Sequence, residues 1–197
     1  MALSVLPANA GPSIAVDVGT GKVLSQDNAS QRWYPASTTK LMTAYLVLRE
    51  VQAGRASLDT PVVVTRLAAA QAPSKMGYPA GSVIRLDKAL RMLLVKSAND
   101  IAVAIAESIG GSHEGFVARM NAEAARLGMR DTHFINPNGL PGPGQYSSAK
   151  DLAILAVAIR HEFPAFTDSS PPRPYAPVMR PWSTATGCWA ACAVRTE

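Results

Sequence analysis

The sequence predicts an α/β domain of the α+β type. Two observations support this class: a strand-like alternation of apolar residues near the N terminus, and several later segments in which apolar residues recur at helical spacing. The chain has 197 residues, of which 48% are hydrophobic and 17% are charged. That length and composition suffice for one domain with a buried core, or two at most, and they exclude disorder for the bulk of the chain.

Four short stretches have the pattern of β-strands. Residues 13–18 alternate and are rich in β-formers, Gly19-Thr20-Gly21 provides a turn, and residues 22–24 resume the pattern, which predicts a β-hairpin. The Gly-Thr-Gly-Lys sequence of this turn lacks the glycine spacing and the hydroxyl of a phosphate-binding loop. Residues 61–64 and 82–86 predict two further strands, joined by a loop that is rich in Gly and Pro.

Apolar residues at helical spacing predict four helices. These cover residues 37–50, 101–109, 113–127 and 149–160. Gly110-Gly111 supplies a stop after the second helix. Ser148-x-x-Asp151 has the spacing of a capping box, which predicts the start of the fourth helix.

Charge and composition exclude several classes of function. The formal net charge is +5, but the sequence has no run of five Lys or Arg residues, so we expect no nucleic-acid partner. It has no stretch of 18 apolar residues, so we expect no transmembrane segment. Two Cys and three widely separated His residues do not form a structural metal site, and we expect no metal.

The two ends of the chain differ from the rest. Residues 1–10 end in Ala8-Asn9-Ala10, which resembles the cleavage site of a secretory signal without its basic region; a chance Ala-rich terminus is the alternative. Residues 167–197 are interrupted by proline and predict a poorly ordered tail, for which we hypothesise translation of a shifted reading frame. Cys188 and Cys192 in this tail are interpreted as incidental rather than as metal ligands or a disulfide.

Ser37-Thr38-Thr39-Lys40 carries the clearest chemical signal. A serine hydroxyl is a weak nucleophile that needs a base within hydrogen-bond reach. If a helix begins at Ser37, the i,i+3 spacing puts Lys40 on the same face one turn later. Lysine can act as a base only if its pKa is lowered, for example by burial. An ordinary capped helix would explain the same four residues, so the motif alone is not specific.

Ser97-Ala98-Asn99 lies at a predicted break between apolar segments, where a loop could present it. The hydroxyl could relay a proton to a leaving amine, and the amide could hold a substrate carbonyl. Together with Ser37 and Lys40, this segment resembles the serine D-alanyl-D-alanine carboxypeptidases, low-molecular-mass penicillin-binding proteins of the penicillin-recognising superfamily. The resemblance extends over residues 11–166 and is carried by 33–43, 97–100, 120–121, 127–129, 131–134, 136–140 and 146–153.

The resemblance implies a penicillin-binding-protein and serine β-lactamase-like transpeptidase domain over residues 11–166, with a helical region on an antiparallel sheet. It implies a peptidoglycan stem peptide ending in D-Ala-D-Ala as substrate, and β-lactams as further ligands. Ser37 would be the nucleophile, Lys40 its base, Ser97 the proton relay and Asn99 the group that orients the substrate amide. No cofactor is implied, because serine and lysine supply the nucleophile and the base. The reaction would take place in the periplasm or elsewhere outside the cytoplasmic membrane, if the chain is exported.

One feature of the family is missing. Its third motif, Lys-Thr-Gly, occurs nowhere in the sequence, and Thr186-Gly187 is preceded by alanine. In the family this motif binds the substrate carboxylate and precedes half of the oxyanion hole, and the later strands of the sheet come from the same region. We therefore expect these strands to be missing, with the hairpin left as a bare edge. An inactive fragment, or a binding module for peptidoglycan or β-lactams without turnover, is the alternative function.

Two other assignments are disfavoured. A Ser-His-Asp triad built from Ser37 with His113 or His133 has no Gly-x-Ser-x-Gly elbow around the serine. A class A β-lactamase would have Asp where this chain has Ala98, and it would have a Glu-x-x-Leu-Asn loop, which the sequence lacks. Asp100 is interpreted as a local cap or turn group.

Overall fold

Four short strands form two separate antiparallel pairs in the computed structural model, which describes residues 11–167. Strand β1 (Ser13–Val16) pairs with β2 (Val23–Asp27), and β3 (Pro61–Val63) pairs with β4 (Val83–Arg85). The helices are α1 (Thr39–Gln52), α2 (Arg66–Ala69), α3 (Leu86–Val95), α4 (Asn99–Gly110), α5 (His113–Leu127), α6 (Ala149–Glu162) and α7 (Pro164–Thr167). The expectations for residues 1–10, for residues 168–197 and for the two cysteines lie outside the described residues.

The mixed helix and strand content confirms the predicted fold class, and the main differences are two helix starts and additional short helices. The helix predicted from Ser37 begins at Thr39, after a single 3-10 turn over Ala36–Thr38. The helix predicted from Ile101 begins at Asn99. The apolar stretch after β4 forms α3 as a helix of its own. Apolar periodicity locates the middle of a helix better than its ends, because the first turn is decided by backbone partners.

The hairpin has no further strand on either of its edges within the described part of the chain. Strand β1 pairs with β2 and packs on α6, and no other described strand joins it. Every residue of β2 is exposed, including Val23 at 46% and Leu24 at 64%. Apolar side chains of the hairpin therefore face solvent beside α6.

The first of two core clusters surrounds α4. Residues 101–106 of this helix are at most 1% exposed, and they pack against α1, α2, α3 and the β3–β4 pair. A helix that is apolar on all sides is stable only in the interior. Burial of α4 also places its first two residues, Asn99 and Asp100, inside the protein.

The second core cluster lies between α1, α5 and α6. It includes Met42, Tyr45, Phe116, Met120 and Leu155, each fully buried. Helix α1 contributes residues to both clusters, so it is enclosed on two sides. The N-terminal end of α1, which carries Lys40, is therefore buried as well.

The start of α6 uses only half of the predicted capping box. The Ser148 hydroxyl accepts a hydrogen bond from the Asp151 backbone N–H at 3.1 Å. The Asp151 carboxylate does not reach back to Ser148; it accepts from the Asp131 backbone N–H at 2.7 Å and from the Thr132 hydroxyl at 2.8 Å. Asp151 therefore ties the preceding loop to α6.

Across residues 11–167, the helices are too short or too polar to span a bilayer.

Candidate active site

Ser37 and Lys40 lie within hydrogen-bond distance of each other at the start of α1. Ser37 is the central residue of the 3-10 turn, and Lys40 is in the first turn of the α-helix. Lys40 Nζ is 3.3 Å from Ser37 Oγ. The Thr38 hydroxyl donates to the Pro35 carbonyl and helps to close this turn. The i,i+3 spacing therefore places the two groups together, as the sequence predicts.

The Lys40 amine is buried and has two further acceptors. Lys40 is 2% exposed, and its Nζ is 2.8 Å from Asn99 Oδ1 and 2.7 Å from the Asn138 carbonyl oxygen. Burial lowers the pKa of Lys40 to about 8. A neutral amine has two N–H donors and one lone pair. Because Asn99 and Asn138 accept both N–H groups, the lone pair of the neutral form is directed to the Ser37 hydroxyl.

Asn99 is the first residue of α4, not part of a loop as the sequence suggested. Its Oδ1 accepts from Lys40, and its Nδ2 donates to the Ala72 carbonyl at 3.0 Å. Nδ2 carries a second hydrogen, which has no partner among residues 11–167. The Asn99 amide is thus held in place and still has one donor for a ligand.

Ser97 lies in the break between α3 and α4, with a φ of 57°. Its Oγ is buried and makes no hydrogen bond within the described chain. A buried hydroxyl without a partner is disfavoured, so this oxygen is available to a group from outside the described chain. The structure joins Ser37, Lys40 and Asn99 in one hydrogen-bonded group and leaves the Ser97 hydroxyl outside it.

Residues 136–140, one of the segments that carry the family resemblance, form a turn whose contact with Lys40 the sequence did not indicate. The contact uses the backbone carbonyl of Asn138, and a backbone atom leaves no signal in the residue type. The turn is tied to α1 by the Thr43 hydroxyl, which donates to the Pro137 carbonyl at 2.7 Å. Gln145 Nε2 adds a contact with the Thr39 hydroxyl at 3.3 Å. The side chains of Thr39, Thr43 and Gln145 thus hold the turn against α1, where the Asn138 carbonyl meets the Lys40 amine.

Asp100, interpreted from the sequence as a local cap or turn group, also binds a segment that is distant in sequence. Its carboxylate accepts from the backbone N–H of its neighbour Ile101 at 2.9 Å. It also accepts from the backbone N–H groups of Met76 at 3.0 Å and Gly77 at 2.9 Å. Asn99 N–H donates to the Ser74 carbonyl at 2.8 Å beside these contacts. The start of α4 therefore fixes residues 71–77, which we name the 71–77 segment.

The histidines are not placed for a catalytic triad. His133 Nδ1 is 2.8 Å from the Gly144 carbonyl, and its ring stacks on Tyr146. His113 is the first residue of α5, beside Glu114. Within residues 11–167, Ser37 Oγ makes its hydrogen bond with Lys40 and none with a histidine. The same residues contain no group of three His, Cys, Asp or Glu side chains that could hold a metal ion.

Known proteins are similar to this chain in sequence and in fold. A family model described as D-alanyl-D-alanine carboxypeptidase matches residues 2–171. The chain is 42% identical over 164 residues to D-alanyl-D-alanine carboxypeptidase DacD of Salmonella typhimurium, and 38% identical over 153 residues to DacF of Bacillus subtilis. The matches cover 80% and 78% of this chain, but only 42% and 39% of those proteins. The chain thus spans about two fifths of the length of these curated relatives.

Solved structures show the same partial coverage. The crystal structure of the D-alanyl-D-alanine carboxypeptidase DacD from Francisella tularensis superposes with a TM-score of 0.77 at 38% identity, over 83% of this chain and 40% of that one. Penicillin-binding protein D2 from Listeria monocytogenes in the ampicillin-bound form superposes with a TM-score of 0.70 at 28% identity, over 79% of this chain and 63% of that one.

Proposed function

The chain belongs to the D-alanyl-D-alanine carboxypeptidase family, and we propose that it is a serine-type hydrolase that removes the terminal D-alanine from peptidoglycan stem peptides. The observation that carries this proposal is the buried Lys40 amine, whose Nζ lies 3.3 Å from Ser37 Oγ and has two further acceptors in Asn99 and Asn138. In its neutral form the amine would give its two N–H groups to those acceptors and keep its lone pair for the Ser37 hydroxyl. A serine with a neutral amine one turn away is an activated nucleophile for acyl transfer.

The proposed reaction has two acyl-transfer steps. Ser37 Oγ attacks the carbonyl carbon of the penultimate D-alanine, and the hydroxyl proton passes to the Lys40 lone pair as the C–O bond forms. The C–N bond then breaks, Ser97 gives a proton to the leaving amine of the terminal D-alanine, and Lys40 returns one to Ser97. Water hydrolyses the resulting ester, which restores the Ser37 hydroxyl. A β-lactam would acylate Ser37 by the first step, with its amide C–N bond opened.

Asn99 is proposed to orient the substrate. Its Oδ1 and one Nδ2 hydrogen are held by Lys40 and Ala72, so the second Nδ2 hydrogen is available to the carbonyl of a substrate amide. Positioning of this kind lowers the barrier by removing the entropy of alignment. Ser97 is proposed as the proton relay because its buried hydroxyl has no other partner in the described chain.

A second candidate is a peptidoglycan- or β-lactam-binding module without turnover, which applies to these 197 residues taken alone because they contain no Lys-Thr-Gly. The resemblance assigns carboxylate binding and part of the oxyanion hole to that region. Loss of one oxyanion donor typically lowers turnover by about 10²–10³-fold. Slow acylation of Ser37 by β-lactams, without turnover of stem peptides, would result. For either candidate the proposed place of action is outside the cytoplasmic membrane, where the stem peptides lie.

Labelling with a fluorescent penicillin tests the proposal. We expect the protein to form a covalent adduct that Ser37→Ala abolishes and that Ser25→Ala, an exposed serine on β2, leaves unchanged. D-Alanine release from a stem-peptide analogue then separates the two candidates: release supports the carboxypeptidase, and labelling without release supports the binding module. Absence of labelling in a folded protein contradicts both.

A further inference from the structure

The two groups that accept hydrogen bonds from Lys40 are themselves held by two neighbouring residues. Asn138 Nδ2 donates to Gln71 Oε1 at 2.9 Å, and Asn99 Nδ2 donates to the Ala72 carbonyl at 3.0 Å. We propose that Gln71 is a positioning residue, whose side-chain amide fixes Asn138 and so aims the Lys40 lone pair at Ser37. This inference rests on the proposed function, because it assigns Gln71 a role in the same site.

The orientation of the Gln71 amide is set by its own second contact. Gln71 Nε2 donates to the Leu67 carbonyl at 3.1 Å in α2, which directs Oε1 to Asn138. Helix α2 is anchored in turn, because Thr65 caps it and Ala68 is fully buried in the first core cluster. Gln71 therefore links Asn138 to α2, a helix whose own position is fixed by packing in the core.

The Asn138 side-chain amide is hydrogen-bonded at both its nitrogen and its oxygen while Gln71 is present. It is 2% exposed, its Nδ2 donates to Gln71, and its Oδ1 accepts from the Leu140 backbone N–H at 3.0 Å. Without Gln71, Nδ2 would be a buried donor with no partner, and leaving a donor unsatisfied is costly. The Asn138 peptide would turn to find a partner, and its carbonyl would move away from Lys40 Nζ. The amine would then lose one of the two acceptors that orient its lone pair.

Lys40 has few charged neighbours, so a measured titration of its amine is not complicated by other ionisable groups. On α4 the nearest is Asp100, whose carboxylate is engaged by Met76 and Gly77. On the 71–77 segment it is Lys75, whose Nζ donates to the Ala69 carbonyl at 3.1 Å. The turn at residues 136–140 has no charged residue, and the first turn of α1 has no acidic one. A carboxylate introduced at position 71 would be a new charge close to the amine.

Three variants of the full chain test the role of Gln71. Gln71→Ala removes the acceptor, Gln71→Glu keeps an acceptor but adds negative charge, and Gln52→Ala is the matched control at the exposed end of α1. Two quantities are measured: the pH profile of acylation by a fluorescent penicillin, and the Lys40 titration followed by NMR of its side chain. The titration does not depend on activity.

We expect Gln71→Ala to lower the acylation rate by about tenfold or more without a matching loss of melting temperature, in the range typical of groups that orient a reactive residue. We expect Gln71→Glu to raise the apparent pKa of Lys40, which moves the rising limb of the profile to higher pH. Gln52→Ala should match the unmodified protein in both measurements.

The outcomes separate this inference from the proposed function. If Gln71→Ala and Gln71→Glu both match Gln52→Ala in rate and in Lys40 titration, Gln71 has no positioning role. If Gln71→Ala does not fold, the Gln71→Glu profile and titration decide alone, and an unchanged result overturns the inference. If the unmodified protein forms no penicillin adduct, the proposed function fails, while a changed Lys40 titration in Gln71→Ala, which adds no charge, still supports the role of Gln71.

Discussion

The backbone of Gly139 packs against the backbone carbonyl of Ala36, the residue that precedes Ser37. A Cβ atom at position 139 would lie 1.8 Å from the Ala36 oxygen, and the φ of Gly139 is +81°. Ala36 itself has a positive φ of 46°. The turn at residues 136–140 therefore fixes the 3-10 turn that carries Ser37 on one side, and the Lys40 amine on the other.

We expect Gly139→Ala to abolish penicillin labelling and to lower the melting temperature, because two backbones would have to separate. Gly54→Ala is the matched control: its φ is +69°, but a Cβ there meets nothing within 4 Å. The control carries only the cost of a left-handed alanine, about 1–2 kcal/mol. Thermal unfolding and labelling of both variants provide the comparison. Equal effects in the two variants would show that the contact with Ala36 is unimportant.

The rate of acylation should rise with pH through about 8 and then level off. Lys40 acts as a base only when it is neutral, and burial lowers its pKa to about 8, so the reactive fraction grows as the pH rises through that value. Labelling with a fluorescent penicillin, quenched after fixed times at several pH values, measures the rate of acylation as a function of pH. Lys40→Arg should remove the rise, since a guanidinium does not lose its proton. A flat profile for the unmodified protein would contradict the role of Lys40 as base.

Ser97→Ala should reduce acylation without reducing stability. The Ser97 hydroxyl is buried without a hydrogen-bond partner, so its removal costs the folded state nothing. If this hydroxyl relays the proton, we expect the acylation rate to fall by about 10²-fold or more. Urea unfolding and labelling are measured on the same samples. A clear loss of stability with an unchanged rate would indicate a structural hydroxyl.

Asp100→Asn should release the 71–77 segment from α4. The carboxylate accepts from three backbone N–H groups, and an amide nitrogen in its place would face those donors. We expect a loss of about 1–3 kcal/mol in the free energy of unfolding. Amide hydrogen exchange at Met76 and Gly77 should increase. Asp59→Asn, whose side chain is 74% exposed, should leave that exchange unchanged.

Glu50→Gln should destabilise the fold at neutral pH and much less in acid. The Arg55 hydrogen bonds at 2.8 Å, together with Arg119, lower the pKa of Glu50 below 4.5. A lowered carboxyl pKa stabilises the folded state above the unfolded value, and this contribution is lost as the pH falls through the folded value. We expect about 1–2 kcal/mol at pH 7, since Arg55 is largely exposed and partly screened.

Urea unfolding at several pH values measures this difference. Glu114→Gln is the control, because its side chain is 87% exposed. A difference between Glu50→Gln and the unmodified protein that stays constant down to about pH 3 would exclude the ion pairs as its cause.

Local geometry made part of the site predictable. The contact between Ser37 and Lys40 follows from helical periodicity, which acts over one turn and needs no other element. The hairpin, the middle of each long helix and the Ser148 side-chain cap are local in the same sense. The family resemblance identified Ser97 and Asn99 as further candidate site residues. Such a resemblance can be read from the sequence alone, because it depends on several motifs that follow one another in a fixed order.

Tertiary structure determines the burial and the hydrogen-bond partners of those residues. The pKa of Lys40 is lowered because α1 is enclosed by two core clusters, and the burial of its amine depends on elements that lie far away in sequence. Asn99 begins a helix because the 71–77 segment supplies partners for its backbone and side chain. Asn138 contributes a carbonyl oxygen that every residue type has, and Gln71 contributes an amide with no motif around it. Hydrogen bonds between distant segments carry no periodicity, so only the folded chain shows which of its polar groups meet.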